Sequence, residues 1–179
     1  MISDIKEILL TEEQIVGKVK ELATKISEDY RNKDLLVVGI LKGSVMFASD
    51  LIKNITIPCE IDFMAVSSYG SSTETSGVVR ILKDLDHSIE GKDIIIVEDI
   101  IDSGVTLDYL LKYLKTRKAN SIEIITFLTK PSRRKVDIQV KYCGFEVPDE
   151  FLVGYGLDFS EKYRNLPYVG ILKEEVYKN

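Results

Sequence analysis

The chain has 179 residues, 45% of them hydrophobic and 30% charged, with a formal net charge of −5. That length suffices for one well-formed α/β domain, and the apolar content is ordinary for a globular protein. The acidic balance argues against a protein built to hold nucleic acid, no apolar run reaches membrane-spanning length, and one histidine with two distant cysteines argues against a zinc site.

In chain order, residues 1–10 lack the basic stretch, apolar core and small-residue cleavage site of an export signal. A cytoplasmic location follows as an expectation, with Cys59 and Cys143 as free buried thiols rather than a disulfide. Thr11-Glu12-Glu13-Gln14 is a capping box and predicts a helix to about Tyr30. Ile15, Val19, Leu22 and Ile26 recur at helical spacing and mark its apolar face. Residues 34–41 carry LLVVGIL, a buried strand, and 44–53 a helix. Residues 57–66 contain a second apolar run, IDFMAV. Residues 67–77 are rich in Ser, Thr and Gly, and 78–82 suit a short strand. His87 falls in a polar stretch, most simply a surface loop, and has no assigned role. Residues 94–97 form a central strand, 105–117 its helix and 121–128 the next strand. Strands alternating with helices predict a mostly parallel central sheet with right-handed crossovers. After Pro131 only short extended pieces are expected, near 140–142 and 151–153.

The most informative segment is 94–106, IIIVEDIIDSGVT. A continuous apolar run fits a strand buried on both faces, and ligands of open α/β sheets bind outside the carboxyl ends of such strands. Glu98 and Asp99 stand at that end. Adjacent strand residues point to opposite faces, although a strand end can relax this. Asp102, Ser103, Gly104, Val105 and Thr106 then open a helix, whose first turn offers unpaired N–H groups and a partial positive charge. Gly104 permits close backbone approach, and the Ser103 and Thr106 hydroxyls add donors, so a phosphate monoester is the natural guest. The loop lacks the lysine of a Walker motif and the GxGxxG of a dinucleotide fold. In isolation it would be an ordinary strand-to-helix turn capped by Asp102 or Ser103; the acidic pair just upstream sets it apart. Two carboxylates beside a phosphate site need sugar hydroxyls or Mg²⁺ to offset their repulsion of an anion.

The run VEDIIDSGVT resembles the phosphoribosyl pyrophosphate signature of the type I phosphoribosyltransferase family. Leu41-Lys42-Gly43, SSYGSST, GFEVPDEFLVGYGLD and EKYRNLP occur in the family's order. The resemblance is nearest to the hypoxanthine-guanine members and extends over nearly the whole chain. It implies an α/β type I phosphoribosyltransferase fold over residues 1–179. The core would span about 34–130, and a small hood would come from the N-terminal segment and about 131–179. It implies transfer of the 5-phosphoribosyl group to N9 of hypoxanthine or guanine with Mg²⁺, giving IMP or GMP plus pyrophosphate, by a homodimer or homotetramer of purine salvage.

Residue by residue, the resemblance puts the 5′-phosphate on 103–106 and the ribose hydroxyls or metal on Glu98 and Asp99. It puts pyrophosphate on Lys42, Gly43 and Arg164. The Leu41–Lys42 peptide matches one that can be cis. Ser68 and Tyr69 match a lid, and a lid suits a transfer that must exclude water. Lys130 would meet the purine 6-oxo group, Phe151 would stack on the ring and the Leu152 backbone would read its edge, with Leu standing where many relatives carry Val. Asp158 would support a second Mg²⁺ beside the purine. Asp102 is the candidate general base for the N7 proton. Two other readings fit the scaffold. One is a transferase for another base, such as xanthine. The other is a regulator that kept the phosphoribosyl pyrophosphate site, which should show a basic patch or an added DNA-binding segment.

Overall fold

The computed structural model describes residues 2–68 and 79–178. Two sheets are formed. The larger takes β2 (Leu35–Leu41), β3 (Glu60–Ser68), β4 (Val79–Lys83), β5 (Asp93–Ile101), β6 (Ser121–Thr129) and β7 (Tyr142–Glu146), in the order β4-β3-β2-β5-β6-β7. Only β4 runs antiparallel to its neighbour; the other pairings are parallel. The smaller sheet is antiparallel and joins β1 (Ile5–Leu10), β9 (Val169–Leu172) and β8 (Leu152–Val153). It is the expected hood, closed by a short helix α4 (Glu174–Tyr177).

Alternation along the parallel strands fixes the layers, because successive side chains point to opposite faces. Leu35 and Val37 of β2, with Ile95 and Val97 of β5, pack under α1 (Glu12–Asp29) and α2 (Val45–Asn54). Leu36, Val38, Ile94 and Ile96 face α3 (Val105–Lys115) on the other side. Helix α1 has both halves of its capping box: Gln14 N–H donates to the Thr11 hydroxyl, and the Gln14 side chain accepts from Thr11 N–H.

Several boundaries depart from the sequence reading. β5 does not stop at Val97 but runs to Ile101, because β2 and β6 flank it and β6 still pairs with it at Glu98, Ile100 and Ile101. Glu98 and Asp99 therefore lie inside a strand, with their side chains hydrogen-bonded to each other. β1, β9 and α4 have no counterpart among the predicted elements. The two cysteines are free, as expected, but neither is fully buried: Cys59 is half-buried, and Cys143 is exposed on the edge strand β7. His87 is exposed.

Candidate active site at the sheet's switch point

From β2 the chain crosses through α2 to β3 on one side; from β5 it crosses through α3 to β6 on the other. The strand order thus reverses between β2 and β5, the place where open α/β sheets bind ligands. The loops after these two strands carry Lys42-Gly43 and 102–104. The peptide bond Leu41–Lys42 is cis.

The β5 loop forms the narrower half of the site. Gly104 begins α3 with φ +82°, a left-handed conformation that glycine adopts without a Cβ penalty. A Cβ there would come within 2.8 Å of Ile138. Gly104 occupies the N-cap position, so neither Asp102 nor Ser103 is the N-cap residue. The Ser103 hydroxyl accepts from Val105 N–H at 3.4 Å. Ser103, Gly104 and Thr106 line a cavity of about 180 Å³ together with Glu98 and Asp102. Donors from a helix start on one wall and a carboxylate on the other suit a phosphorylated sugar.

Asp99 opens into a larger cavity of about 680 Å³ with Asp102, Lys130, Phe151, Leu152 and Asp158. Lys130 is buried, unlike most lysines, at 8% exposure. Its Nζ donates to the Glu150 carbonyl at 2.7 Å and stands 3.5 Å from Asp149 Oδ1. The Phe151 ring stacks against Tyr177 of α4, with centroids 4.7 Å apart and planes at 25°. Leu152 is buried and pairs through its backbone with Ile171 of β9. The hood thus supplies the aromatic wall of the cavity with Arg133, Asp149 and Asp158, while Asp99 of β5 and Asp102 and Lys130, just past strand ends, supply charges from the sheet side.

Arg164 anchors the loop that returns to Lys42. Its Nη1 donates to the Gly156 carbonyl at 2.7 Å, and its Nη2 meets Asp158 at 2.9 Å and Glu161 at 3.2 Å. Glu161 also pairs with Lys42 at 2.7 Å, so one carboxylate joins the two cations. Arg164 Nε is a buried donor with no hydrogen-bond partner among the described residues.

Burial, reinforced by the adjacent Asp99 charge, pushes the Glu98 carboxyl well above the usual range. Burial also raises Asp99, against bonds that include Ile100 N–H at 2.8 Å. Among the described residues no lysine or arginine forms an ion pair with either. Crowded carboxylate oxygens of this kind fit a hard cation. The predicted set of Glu98, Asp99 and Asp158 is nevertheless not gathered at one point. Asp99 and Asp158 face the larger cavity and Glu98 the smaller. Among the described residues no three His, Cys, Asp or Glu form a metal cage. The donors therefore suit an ion that takes most of its ligands from substrate and water, as Mg²⁺ commonly does.

A phosphoribosyl transferase domain model matches residues 6–160. Hypoxanthine-guanine phosphoribosyltransferase of Staphylococcus aureus is 58% identical over 179 residues, covering all of both chains. That of Bacillus subtilis is 56% identical over 176 residues, 98% of each chain. The chain belongs to the hypoxanthine-guanine phosphoribosyltransferase family. A crystal structure of a hypoxanthine phosphoribosyltransferase from Staphylococcus aureus matches with a TM-score of 0.97 at 57% identity, over 100% of this chain and 97% of that one.

In this phosphoribosyltransferase the structure brings Lys42, Gly43, Glu98, Asp99, Asp102 and 103–106 to the switch point, with Lys130, Phe151, Leu152, Asp158 and Arg164 around it. Ser68 ends β3, and Tyr69 lies outside the described residues. Four residues at the site were not singled out from the sequence: Arg133, Asp149, Glu161 and Tyr177. Arg133 had one usable signal, its place in the basic run KPSRRK directly after the strand that ends before Lys130.

Proposed function

We propose that this protein is a purine-salvage enzyme that joins hypoxanthine or guanine to phosphoribosyl pyrophosphate, giving IMP or GMP and pyrophosphate. The observation that carries the proposal is the buried Lys130 beside Phe151 in the cavity that Asp99 and Asp102 share. A buried ammonium favours a carbonyl such as the purine 6-oxo group over the amino group of adenine, because it can only donate.

The 5′-phosphate would rest on the amides and hydroxyls of Ser103, Gly104, Val105 and Thr106. Glu98 and Asp99 would accept from the ribose hydroxyls. Lys42, the Gly43 backbone and Arg164 would hold pyrophosphate, and the planar Arg fork suits that anion. Ser68 and Tyr69 would cover that side. Phe151 would stack on the purine, with the Leu152 backbone at its edge. Bond formation from N9 to the sugar C1 accompanies cleavage of C1 from the pyrophosphate oxygen, and Asp102 would take the proton from N7. Asp99 and Asp158 in the larger cavity and Glu98 in the smaller would be the carboxylates available to Mg²⁺, which when bound would neutralise charge on the leaving pyrophosphate.

The whole chain would act as one phosphoribosyltransferase unit, core about 34–130 with its hood, in the cytoplasm and as a homodimer or homotetramer. No described helix is long and apolar enough to cross a membrane. Chromatography of a reaction containing hypoxanthine, phosphoribosyl pyrophosphate and Mg²⁺ tests the proposal. IMP and pyrophosphate should appear in equal amounts, and their absence would refute it.

A further inference from the structure

We propose that Arg133 is a positioning residue for Asp102: it holds one carboxylate oxygen so that the other faces the purine. This rests on the reading of Asp102 as the general base. Residues Pro131–Arg133 form a single 3₁₀ turn directly after β6, tied back by Arg133 N–H to the Lys130 carbonyl at 3.1 Å. The turn aims Arg133 across the mouth of the larger cavity. Its Nε stands 2.7 Å from Asp102 Oδ1, and its Nη1 stands 3.2 Å from Asp149 Oδ1. Asp149 in turn lies 3.5 Å from Lys130 Nζ. Asp102, Arg133, Asp149 and Lys130 therefore form one chain of alternating charge along the wall where the purine would lie.

The two oxygens of Asp102 are not equivalent. Oδ1 is fully buried, and the contact with Arg133 is an ion pair rather than an aligned hydrogen bond. The Asp102 side chain as a whole is nevertheless 43% exposed. With Oδ1 buried, the open surface is shared by Oδ2 and the side-chain carbons, so Oδ2 is the carboxylate oxygen left to face the cavity. A base with one oxygen held and one open presents a single proton-accepting atom, and misplacing such a group by about 1 Å can cost about 10²-fold in rate. The same pair contributes little to stability, because Arg133 is 49% exposed and exposed ion pairs are weak. A positioning role and a merely structural one therefore predict different results.

The test is steady-state turnover of the full chain with hypoxanthine, phosphoribosyl pyrophosphate and Mg²⁺ for wild type, Arg133→Gln, Arg133→Lys, Asp102→Asn and the double variant Arg133→Gln/Asp102→Asn. Arg133→Gln should lose kcat by about 10- to 100-fold. Its KM for phosphoribosyl pyrophosphate and its thermal midpoint should stay near wild type. Arg133→Lys keeps the charge and loses the planar fork, so it should recover part of the rate. In the Asp102→Asn background, Arg133→Gln should have no further effect. Wild-type kcat in Arg133→Gln, or an equal further loss in the Asp102→Asn background, would overturn the inference and leave Asp102 untouched. Full turnover in Asp102→Asn would overturn the base reading and the inference together.

Discussion

A Cβ built on Gly43 would lie 1.6 Å from Asp99 Oδ2, so the loop after β2 rests directly on a side chain from β5. The opposite side is equally close: a Cβ on Gly156 would lie 2.0 Å from the Gly43 carbonyl. The Lys42-Gly43 loop is therefore clamped between the central strand and the hood. Gly43→Ala must displace either the loop or Asp99. The overpacking should cost about 1–3 kcal/mol of stability. kcat/KM should fall much further than that loss explains. Thermal unfolding and steady-state kinetics, measured together, check this; wild-type kinetics in Gly43→Ala would break the link between loop geometry and activity.

Asp102→Asn keeps the shape of the side chain and removes its ability to take a proton. kcat is expected to fall by about 10²–10⁴-fold while IMP still binds. Single-turnover kinetics with an IMP titration separates the two quantities. Loss of IMP binding in place of rate would assign Asp102 to binding.

Lys130→Met preserves much of the buried aliphatic stem and deletes the ammonium. A hydrogen bond to a charged group contributes about 1.5–3 kcal/mol, so KM for hypoxanthine should rise by about 10- to 150-fold. Affinity for phosphoribosyl pyrophosphate should hold, because Lys130 faces the base side of the cavity. Equal weakening of both substrates would show that Lys130 acts through the fold.

Glu161 joins Lys42 and Arg164, the two cations proposed for pyrophosphate. The carboxylate and pyrophosphate would compete for the same donors. Lys42 and Glu161 are exposed and Arg164 is half-buried, so the competition is mild. Glu161→Gln should lower KM for phosphoribosyl pyrophosphate by about 2- to 10-fold, since exposed pairs contribute up to about 1 kcal/mol each. The KM for hypoxanthine should not move.

Asp84 offers a stability test away from the site. Burial opposes its ionisation, but Arg117, the Tyr113 hydroxyl and Leu85 N–H outweigh it and hold the carboxyl below its usual range. A carboxyl lowered in the folded state contributes stability above its unfolded value and loses it as pH falls through the folded one. Asp84→Asn should therefore cost about 1 kcal/mol at pH 7. The gap to wild type should close as pH falls below the ordinary aspartate value of 3.8. Denaturant midpoints at pH 7 and pH 3 decide it; a gap constant with pH would contradict the linkage.

The core elements were legible because their signals are local. The Thr11 capping box, the LLVVGIL run and the apolar stretch of β5 each carry a period or a cap within a few residues. The hood is legible only through the family resemblance and not strand by strand, because its pairing is remote: Ile5 meets Leu172, and β8 has only two residues. Lys6 and Glu7 also blur β1 as an apolar strand. Carboxylates in a strand look like its end, so sequence alone stops β5 at Val97. Here they persist because each faces a cavity while the backbone stays paired. The signature residues of the site were legible through motif order, whereas Asp149 and Tyr177 reach it only through tertiary placement and Arg133 is flagged only by its basic run after β6.

The most direct measurement is kcat/KM with phosphoribosyl pyrophosphate and Mg²⁺ against hypoxanthine, guanine, xanthine, adenine and uracil. Turnover of hypoxanthine and guanine, with adenine and uracil at background, is the expected result. Turnover confined to adenine or uracil, or none with any base while phosphoribosyl pyrophosphate still binds, would contradict the assignment of this cavity to a 6-oxopurine.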